Sequence, residues 1–392
     1  MVGPVDALAG DEDRPVEVLD PDRSDHLEAL SAAPVLALDL ETDNFHAYRE
    51  RTCLLQLATP ERDWFFDPLG LDALPPSLTE ALGREDREVI LHAGDNDVRS
   101  LVRDFGLRLG RLFDTALAAR ILGLAQLGLK GLLEDVLEVE IDKGEQRSDW
   151  SRRPLAVEQL RYARQDVRWL TQLRERLAVL LDEKGRRAWH EEECERTRWV
   201  EPTEKRFDPE SWRKVKAAKS LGPRGRAVMA TLWRWRESEA EATNTPAVRV
   251  AYPEQLARVA KVADAHGDRV LDKLSGFTFL PPHLDRDKLR SVVESGLVAP
   301  DPGARRPPRP RLDSAPPALD AEGKVRLERL REGRAQWAAD LGMDPGFLLA
   351  NAILERIARA APQEAEDLEG VDGLGRWRAE ALGQEIMHAV CL

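Results

Sequence analysis

Short apolar runs separated by turn-forming residues mark the N-terminal part of the chain. There are four such runs, at 35–41 (VLALDLE), 52–58 (TCLLQLA), 63–67 (DWFFD) and 88–92 (EVILH). Runs of this length that are rich in β-branched and aromatic residues predict buried β-strands. From Asn96 onwards the apolar residues follow a helical spacing instead. The pattern predicts an α/β domain at the start of the chain.

The remainder of the chain has a helical pattern with one interruption. Apolar residues recur at helical spacing over 155–199 and again beyond Asp208, with Arg and Glu on the polar faces. Residues 299–318 (APDPGARRPPRPRLDSAPPA) are so dense in proline that they predict an extended, semi-rigid linker. This linker would divide the helical remainder into two pieces.

The two helical pieces share short sequence features in the same order. WRE at 235–237, Pro246 and LARVA at 256–260 in the first piece correspond to LRE at 330–332, Pro345 and LERIA at 354–358 in the second. The ordered match predicts two related helical modules. The alternative is that two unrelated amphipathic helices share Leu, Arg and Ala by composition alone.

Composition narrows the class of protein. A chain of 392 residues favours two or three domains. Asp and Glu (71) exceed Lys and Arg (58), and the net charge of −13 argues against a general polyanion binder. Any contact with nucleic acid must therefore be local or assisted by metal.

Cysteine usage and hydropathy bear on the compartment. The three cysteines, Cys53, Cys194 and Cys391, are too few and too scattered for a disulfide framework or a zinc site. No apolar run is long enough to span a bilayer, and the first nine residues lack a signal-peptide pattern. We expect a cytoplasmic protein.

Two carboxylates interrupt the first apolar run. Asp39 and Glu41 are two residues apart, so in a strand both side chains project from the same face. Such a pair offers the hard oxygen ligands that a divalent cation takes. The alternative for an isolated Asp-x-Glu pair is a solvated strand end, since Asp and Glu are mostly exposed.

Two later segments add acidic residues. The run at 88–98 (EVILHAGDNDV) leads into Asp95 and Asp97 at the start of a helical pattern. Either residue could simply cap that helix, and Asp95 fits the capping role better than Asp97. Tyr162 and Asp166 are four residues apart in a helical segment and so share one face, although a tyrosine there is more often a packing residue.

In this order, the residues resemble the DEDD superfamily of 3′–5′ exonucleases, in the subgroup whose last motif is Tyr-x-x-x-Asp. The ribonuclease D family is the most similar. The resemblance assigns Asp39 and Glu41 to the first motif, Asp97 to the second, and Tyr162 with Asp166 to the third. Flanking sequences agree with the family at LLQLAT (54–59), FFDPLG (65–70), LHAG (91–94), FDTALAARIL (113–122) and SDWSRRPL (148–155).

The resemblance also implies contacts to substrate. Many relatives read DTEF where this chain reads DLET, so Leu40 and Thr42 are expected to contact the terminal nucleotide in a different way. Gln146 and Trp150 are further candidates for nucleotide contacts. His92 matches no ligand motif and is interpreted as a core or supporting residue.

The fold implied by the resemblance is an α/β ribonuclease-H-like domain, a mixed sheet of about five strands with flanking helices. Its fifth strand would lie near Arg111–Asp114. Two all-α helical bundles of the HRDC (helicase and RNase D C-terminal) type would follow it, the second being more divergent. The predicted segments are an N-terminal segment (1–30), the exonuclease domain (31–205), the first HRDC domain (215–298), the linker (299–318) and a second HRDC-like domain (319–392).

Four crowded carboxylates would repel one another unless cations neutralised them, so divalent metal is implied. The all-oxygen ligand set formed by Asp39, Glu41, Asp97 and Asp166 favours two ions of Mg²⁺ or Mn²⁺ over zinc. Two such ions could clamp the attacking and leaving oxygens of a phosphodiester. Tyr162, with an ordinary pKa near 10, is better suited to orient the attacking water than to act as a free base.

The resemblance implies a metal-dependent 3′–5′ exoribonuclease that trims tRNA or other structured RNA precursors and releases nucleoside 5′-monophosphates. Its partner would be RNA with a single-stranded 3′ end, and we expect a monomer. Two alternatives stay open at this point. The chain could be a 3′–5′ DNA exonuclease, since no motif reads the 2′-hydroxyl, or an RNA-binding scaffold with a decayed nuclease centre.

A Gly-x-Gly turn near the C-terminus suggests a second kind of site. In 367–382 (DLEGVDGLGRWRAEAL) the turn opens a helix that carries Arg376, Trp377 and Arg378. Exposed backbone N–H groups and cations in this arrangement could bind phosphate. The alternative is a packing joint between helices with Trp377 in the core.

Overall fold

The computed structural model describes most of the chain, in two compact units. The described residues are 2–8, 14–141, 144–203, 206–304 and 317–391. The first unit contains the described parts of 1–42, 52–202 and 316–392, and the second contains those of 43–51 and 203–315. Within the predicted linker, residues 305–316 lie outside the described residues, so the linker and the domain boundaries remain predictions.

A mixed sheet of six strands forms the centre of the described first unit. The strands are β1 (Val16–Val18), β2 (Val35–Thr42), β3 (Thr52–Ala58), β4 (Asp63–Phe66), β5 (Glu88–Leu91) and β6 (Arg111–Asp114), in the spatial order β1-β4-β3-β2-β5-β6. β3 pairs antiparallel with β2 and β4, whereas the other pairs are parallel. The predicted α/β fold with a mixed sheet is confirmed.

The sheet has one strand more than the five expected. The extra strand, β1, is three residues long and lies in the predicted N-terminal segment. It pairs parallel with β4 through Val16 and Val18, opposite Asp63 and Phe65. Three residues are too few to show a period, so only the pairing partner identifies this strand.

Helices account for most of the remaining described residues. In chain order they are α1 (Ser24–Ala32), α2 (Pro76–Gly83), α3 (Asp95–Phe105), α4 (Thr115–Leu122), α5 (Leu129–Leu137), α6 (Val157–Arg168), α7 (Leu170–Glu183), α8 (Arg187–Arg198), α9 (Pro223–Ala242), α10 (Ala247–Val250), α11 (Pro253–His266), α12 (Val270–Lys273), α13 (Arg286–Val298), α14 (Ala321–Leu341), α15 (Pro345–Leu348), α16 (Asn351–Ala360) and α17 (Arg376–Cys391). Among the helices described, none combines the length and apolar character needed to cross a membrane.

The two helical modules have the same order of elements. In the second unit, α9 is followed by the four-residue α10 and then by α11, and these helices pack around a separate hydrophobic core. In the C-terminal module, α14 is followed by the four-residue α15 and then by α16. Pro246 precedes the short helix of the first module, and Pro345 begins that of the second. The shared order supports the predicted relation between the two modules.

The C-terminal module shares a hydrophobic core with the α/β domain. One continuous cluster joins Leu132 and Leu173 of the α/β domain to Leu330 and Ile386 of α14 and α17. Arg186 donates hydrogen bonds to the backbone carbonyl of Ile121 (2.7 Å) and to that of Leu341 (2.9 Å), which lie at the ends of α4 and α14. The C-terminal module and the α/β domain therefore form one compact unit with a common hydrophobic core.

The start of α17 is bound by a carboxylate of the chain itself. Glu192 of α8 accepts hydrogen bonds from the backbone N–H groups of Arg376 (2.9 Å) and Trp377 (2.8 Å). The Trp377 ring is 2% exposed and stacks on Trp189 with ring centroids 4.7 Å apart. The packing joint is therefore the correct interpretation of the Gly-x-Gly segment, because Glu192 takes the N–H groups that a phosphate would need.

A buried ion pair strengthens the same joint. Glu193 accepts hydrogen bonds from Trp377 Nε1 (2.8 Å) and from the guanidinium of Arg378, which is 4% exposed. Burial lowers the pKa of Arg378 although Glu193 opposes the shift. Removing the carboxylate would leave the buried arginine hydrogen-bonded to backbone carbonyls and without its ion-pair partner.

We expect Glu193→Ala to lower the free energy of unfolding by about 3 kcal/mol, the usual cost of breaking one side of a buried ion pair. Thermal and urea unfolding followed by circular dichroism would measure the loss. Glu191→Ala on the exposed side of the same helix is the matched control and should change stability little. Equal effects of the two variants would contradict the importance of this joint.

Candidate active site

Carboxylates from one strand and one helix meet in a cavity of about 370 Å³. β2 carries Asp39 and Glu41 on the same face, while its Leu38 and Leu40 pack in the core on the other face. α6 brings Asp166 to the same place, and one oxygen atom from each of the three carboxylates lies within 4.8 Å of the others. The described residues lining the cavity are Asp39, Leu40, Glu41, His92, Ala93, Gly128, Leu129, Lys130, Ile141, Gln146, Tyr162 and Asp166.

Asp97 lies beside this group and not within it. It occupies the third position of α3, and its charge acts on both Asp39 and Glu41. Burial and the charge of Asp114, with smaller effects of Asp166 and Asp95, raise the pKa of Asp97 to about 7. The structure thus brings together the four predicted carboxylates, three in close contact and the fourth coupled to them by charge.

Burial and mutual repulsion control the protonation of this cluster. Burial and then the neighbouring carboxylates raise the pKa of Asp39 and of Glu41 well above their usual range. Burial raises the pKa of Asp166 to about 7, although its hydrogen bond with Tyr162 opposes the shift. Four carboxyl groups in one buried place need cations to be charged together. Their all-oxygen ligand set fits a divalent metal ion such as Mg²⁺ or Mn²⁺.

A buried amide next to Asp39 supports this fit. Gln56 of β3 lies directly opposite Asp39 in the antiparallel register, so both side chains are on one face of the sheet. Gln56 is fully buried, and neither its Oε1 nor its Nε2 has a hydrogen-bond partner among the described residues. Buried polar groups are nearly always paired, so Gln56 has unused capacity for a water or a ligand beside Asp39.

Tyr162 lies one helical turn before Asp166. The two side chains share a hydrogen bond, and burial raises the pKa of Tyr162, so that its hydroxyl stays protonated at neutral pH. The indole of Trp150 packs against Tyr162, with ring centroids 6.1 Å apart. Trp150 is only 1% exposed, and in this structure its indole supports the ring of Tyr162. Its contact to a nucleotide stays a prediction.

The other predicted substrate contacts divide between the cavity and its surroundings. Gln146 is exposed and lines the cavity. Leu40 contributes to the cavity wall, but its side chain is 7% exposed and packs in the core. Thr42 ends β2 at an irregular register with Thr52 and is not among the described lining residues. Gln146 is thus the predicted contact that is best placed to meet a substrate.

A tight turn between β5 and α3 sets the position of Asp97. Ala93 in this turn has a φ of 56°, a left-handed conformation unusual for alanine. The carboxylate of Asp114 accepts the N–H groups of Ala93 (3.1 Å) and Gly94 (2.8 Å). It also accepts those of Ala116 and Leu117 at the start of α4. One buried side chain therefore fixes the turn and caps the next helix.

The sequence alone does not identify Asp114 as a supporting residue of the site. The Asp114 signal in the sequence is an aspartate directly before a helical pattern, a capping signature that does not reveal a second set of donors. Asp95, expected to suit the capping role, is instead the first residue of α3, whose N-cap is Gly94. Asp95 forms an ion pair with Arg99 at 2.8 Å.

Comparisons with known proteins agree with the fold. A family model described as 3′–5′ exonuclease matches residues 20–182, and an HRDC domain model matches residues 324–390. The HRDC match falls on the C-terminal module, which had been expected to be the more divergent copy. Ribonuclease D of Pseudomonas paraeruginosa is 33% identical over 362 residues, which cover 91% of this chain and 92% of the relative.

Solved structures show the same fold. A protein from Bifidobacterium adolescentis has a TM-score of 0.77 at 22% identity and covers 96% of this chain and 97% of its own. Escherichia coli RNase D has a TM-score of 0.59 at 23% identity, and the match covers 97% of this chain and 99% of the Escherichia coli chain. The sequence similarity to the Pseudomonas enzyme spans nearly the whole of both chains. The chain therefore belongs to the ribonuclease D family and is a hydrolase of the 3′–5′ exoribonuclease class.

Proposed function

We propose that this exoribonuclease trims the 3′ ends of tRNA or other structured RNA precursors and releases nucleoside 5′-monophosphates. The observation that carries the proposal is the meeting of Asp39, Glu41 and Asp166 within 4.8 Å, with Asp97 coupled to them. An RNA substrate fits the family. The solved Escherichia coli enzyme is described as an exoribonuclease involved in structured RNA processing.

The four carboxylates would hold two divalent ions, Mg²⁺ or Mn²⁺. When bound, such ions supply an activated water and stabilise the charge that develops on a phosphodiester. Asp39 and Glu41 are fixed by a strand in the middle of the sheet, and Asp166 by a helix packed on that sheet. A ligand set on rigid elements keeps its geometry during turnover.

Tyr162 is proposed to orient the attacking water. Tyr162 lines the cavity and its hydroxyl is hydrogen-bonded to Asp166, so it can hold a water near the carboxylates. The raised pKa makes the phenol a poor general base at neutral pH. Its contribution is therefore positional.

The helical modules are proposed to hold the body of the RNA. We also propose that the chain belongs to the Tyr-x-x-x-Asp subgroup and that its first helical module is an HRDC domain. The protein is proposed to be a cytoplasmic monomer. The shared element order of α9–α11 and α14–α16 supports the relation of the modules.

Metal-dependent shortening of a 5′-labelled single-stranded RNA, compared with a DNA of the same sequence, tests the activity. We expect an RNA ladder shortening from the 3′ end with Mg²⁺ or Mn²⁺, nucleoside 5′-monophosphates as products, and no reaction with chelator. Faster shortening of the DNA would support a DNA exonuclease. A folded protein that shortens neither strand would support an RNA-binding scaffold.

We expect Asp39→Asn and Asp166→Asn each to lower kcat by at least about a thousandfold, because each removes a charge from the centre that stabilises the transition state. Asp95→Asn is the matched control, since Asp95 is exposed and pairs with Arg99 outside the cavity. Single-turnover rates would be measured alongside thermal unfolding. Retained activity in a folded Asp39 or Asp166 variant would reject the carboxylate assignment.

Tyr162→Phe should lower kcat by about ten- to a hundredfold, because a positioned water is lost while the carboxylates remain. Titration calorimetry with Mn²⁺ should show metal affinity close to that of the wild type. A variant that loses metal binding as well would assign Tyr162 to the metal site and not to the water.

The charge of the cluster should make the metal-free protein less stable as pH rises. Asp97 and Asp166 have a pKa of about 7 when folded and near 4 when unfolded. Between these values the folded state binds more protons, so the free energy of unfolding falls with rising pH, by at most about 1.4 kcal/mol per pH unit for each group.

Urea unfolding with chelator between pH 4.5 and 8 would measure this slope. Asp166→Asn should make the slope shallower, and Asp95→Asn, which removes only a small charge effect on Asp97, should change the slope much less. Excess Mg²⁺ at pH 7.5 should raise the stability of the wild type but much less that of Asp166→Asn. A metal-free protein whose stability is flat over this range would show that the pKa values of Asp97 and Asp166 are not raised in the folded state.

A further inference from the structure

His92 lines the catalytic cavity without being one of its carboxylates. It follows β5 and is held by the same turn that leads to Asp97. Its Nδ1 lies 2.9 Å from the hydroxyl oxygen of Thr115. Its Nε2 has no hydrogen-bond partner among the described residues. One ring nitrogen of this cavity-lining side chain is therefore used by the protein, and the other is left for a partner from outside the described residues.

The hydrogen bonds of Thr115 determine where the imidazole proton lies. The Thr115 hydroxyl donates its only hydrogen to the backbone carbonyl of Leu91 at 3.1 Å. It can therefore only accept at His92, so Nδ1 carries the proton and donates. In a neutral imidazole the second nitrogen is then an acceptor. Burial lowers the pKa of His92 and keeps the ring neutral at pH 7.

A fixed acceptor at this position selects among the groups of a nucleic acid. Phosphate oxygens carry no proton at neutral pH, so Nε2 cannot bind them, whereas a hydroxyl or an amino group can donate to it. Base amino groups differ from base to base, and an exonuclease that removes successive nucleotides needs a contact present on each one. The ribose 2′-hydroxyl meets this need and also distinguishes RNA from DNA.

We propose that His92 Nε2 accepts a hydrogen bond from the 2′-hydroxyl of the 3′-terminal nucleotide and is a specificity-determining residue for RNA. Thr115 is the positioning residue that fixes the tautomer. The inference rests on the proposed function, since it requires a 3′-terminal nucleotide in this cavity. It places the discrimination between RNA and DNA in one nitrogen atom.

The test varies one atom of the substrate and one side chain of the protein. Three 5′-labelled RNA oligomers of one sequence would end in ribose, in 2′-deoxyribose or in 3′-deoxyribose, and the rate of the first cleavage would be measured at saturating Mg²⁺. For the wild type, loss of the 2′-hydroxyl should slow cleavage about tenfold, the usual effect of losing one neutral hydrogen bond. Loss of the 3′-hydroxyl should act equally on wild type and variants.

In His92→Leu the ratio between the ribose and 2′-deoxyribose substrates should fall to about one, because only the ribose substrate becomes slower. His92→Gln keeps an acceptor oxygen and should restore part of the ratio. Thr115→Val removes the partner of Nδ1 and should reduce the ratio, whereas Thr115→Ser keeps the hydroxyl and the ratio. These readouts are ratios within one protein, so a general loss of stability does not mimic them.

The proposal would be overturned if folded His92→Leu kept the wild-type ratio between the ribose and 2′-deoxyribose substrates. It would also be overturned if the substitution changed the effect of the 3′-hydroxyl and not that of the 2′-hydroxyl. Should His92→Leu fail to fold, the Thr115→Val and Thr115→Ser pair decides the question in the same way. A wild type that shortens RNA but ignores the 2′-deoxy change refutes this inference alone. A wild type that shortens no RNA refutes the proposed function.

Discussion

Repulsion between carboxylates buried in one place is the constraint on which the rest of this structure depends. Asp39, Glu41 and Asp166 have oxygens within 4.8 Å of one another, and Asp97 adds to their field. Left to itself, such a group would move apart or stay protonated. The sheet keeps Asp39 and Glu41 from moving apart because their strand, β2, is paired between β3 and β5. A bound divalent cation would let the carboxylates be charged together without protonation.

Support for this centre comes from buried residues that are not among the described lining of the cavity. Asp114 holds the turn before Asp97, Thr115 orients His92, and Trp150 packs behind Tyr162. Each of the three is buried. Supporting groups of this kind set the orientation of the residues in front of them, and their loss usually costs activity without abolishing the fold.

The sequence predicted much of this arrangement and missed the rest for identifiable reasons. Strand runs and the i, i+2 and i, i+4 spacings are local, so Asp39 with Glu41 and Tyr162 with Asp166 were readable directly. The burial of Trp150 was not, because an aromatic residue in a loop looks the same whether it faces a ligand or a core. The second role of Asp114 depends on β5 and β6 lying side by side, which only the folded sheet reveals.

The order in which the chain is synthesised gives the shared core a further meaning. Helices α14–α17 follow the α/β domain in the chain, and they cover apolar surface of that domain and complete its core. During synthesis the α/β domain therefore carries an uncovered apolar face until these helices have been made. A product that stops before α14 would keep that face exposed and be a target for chaperones and proteases.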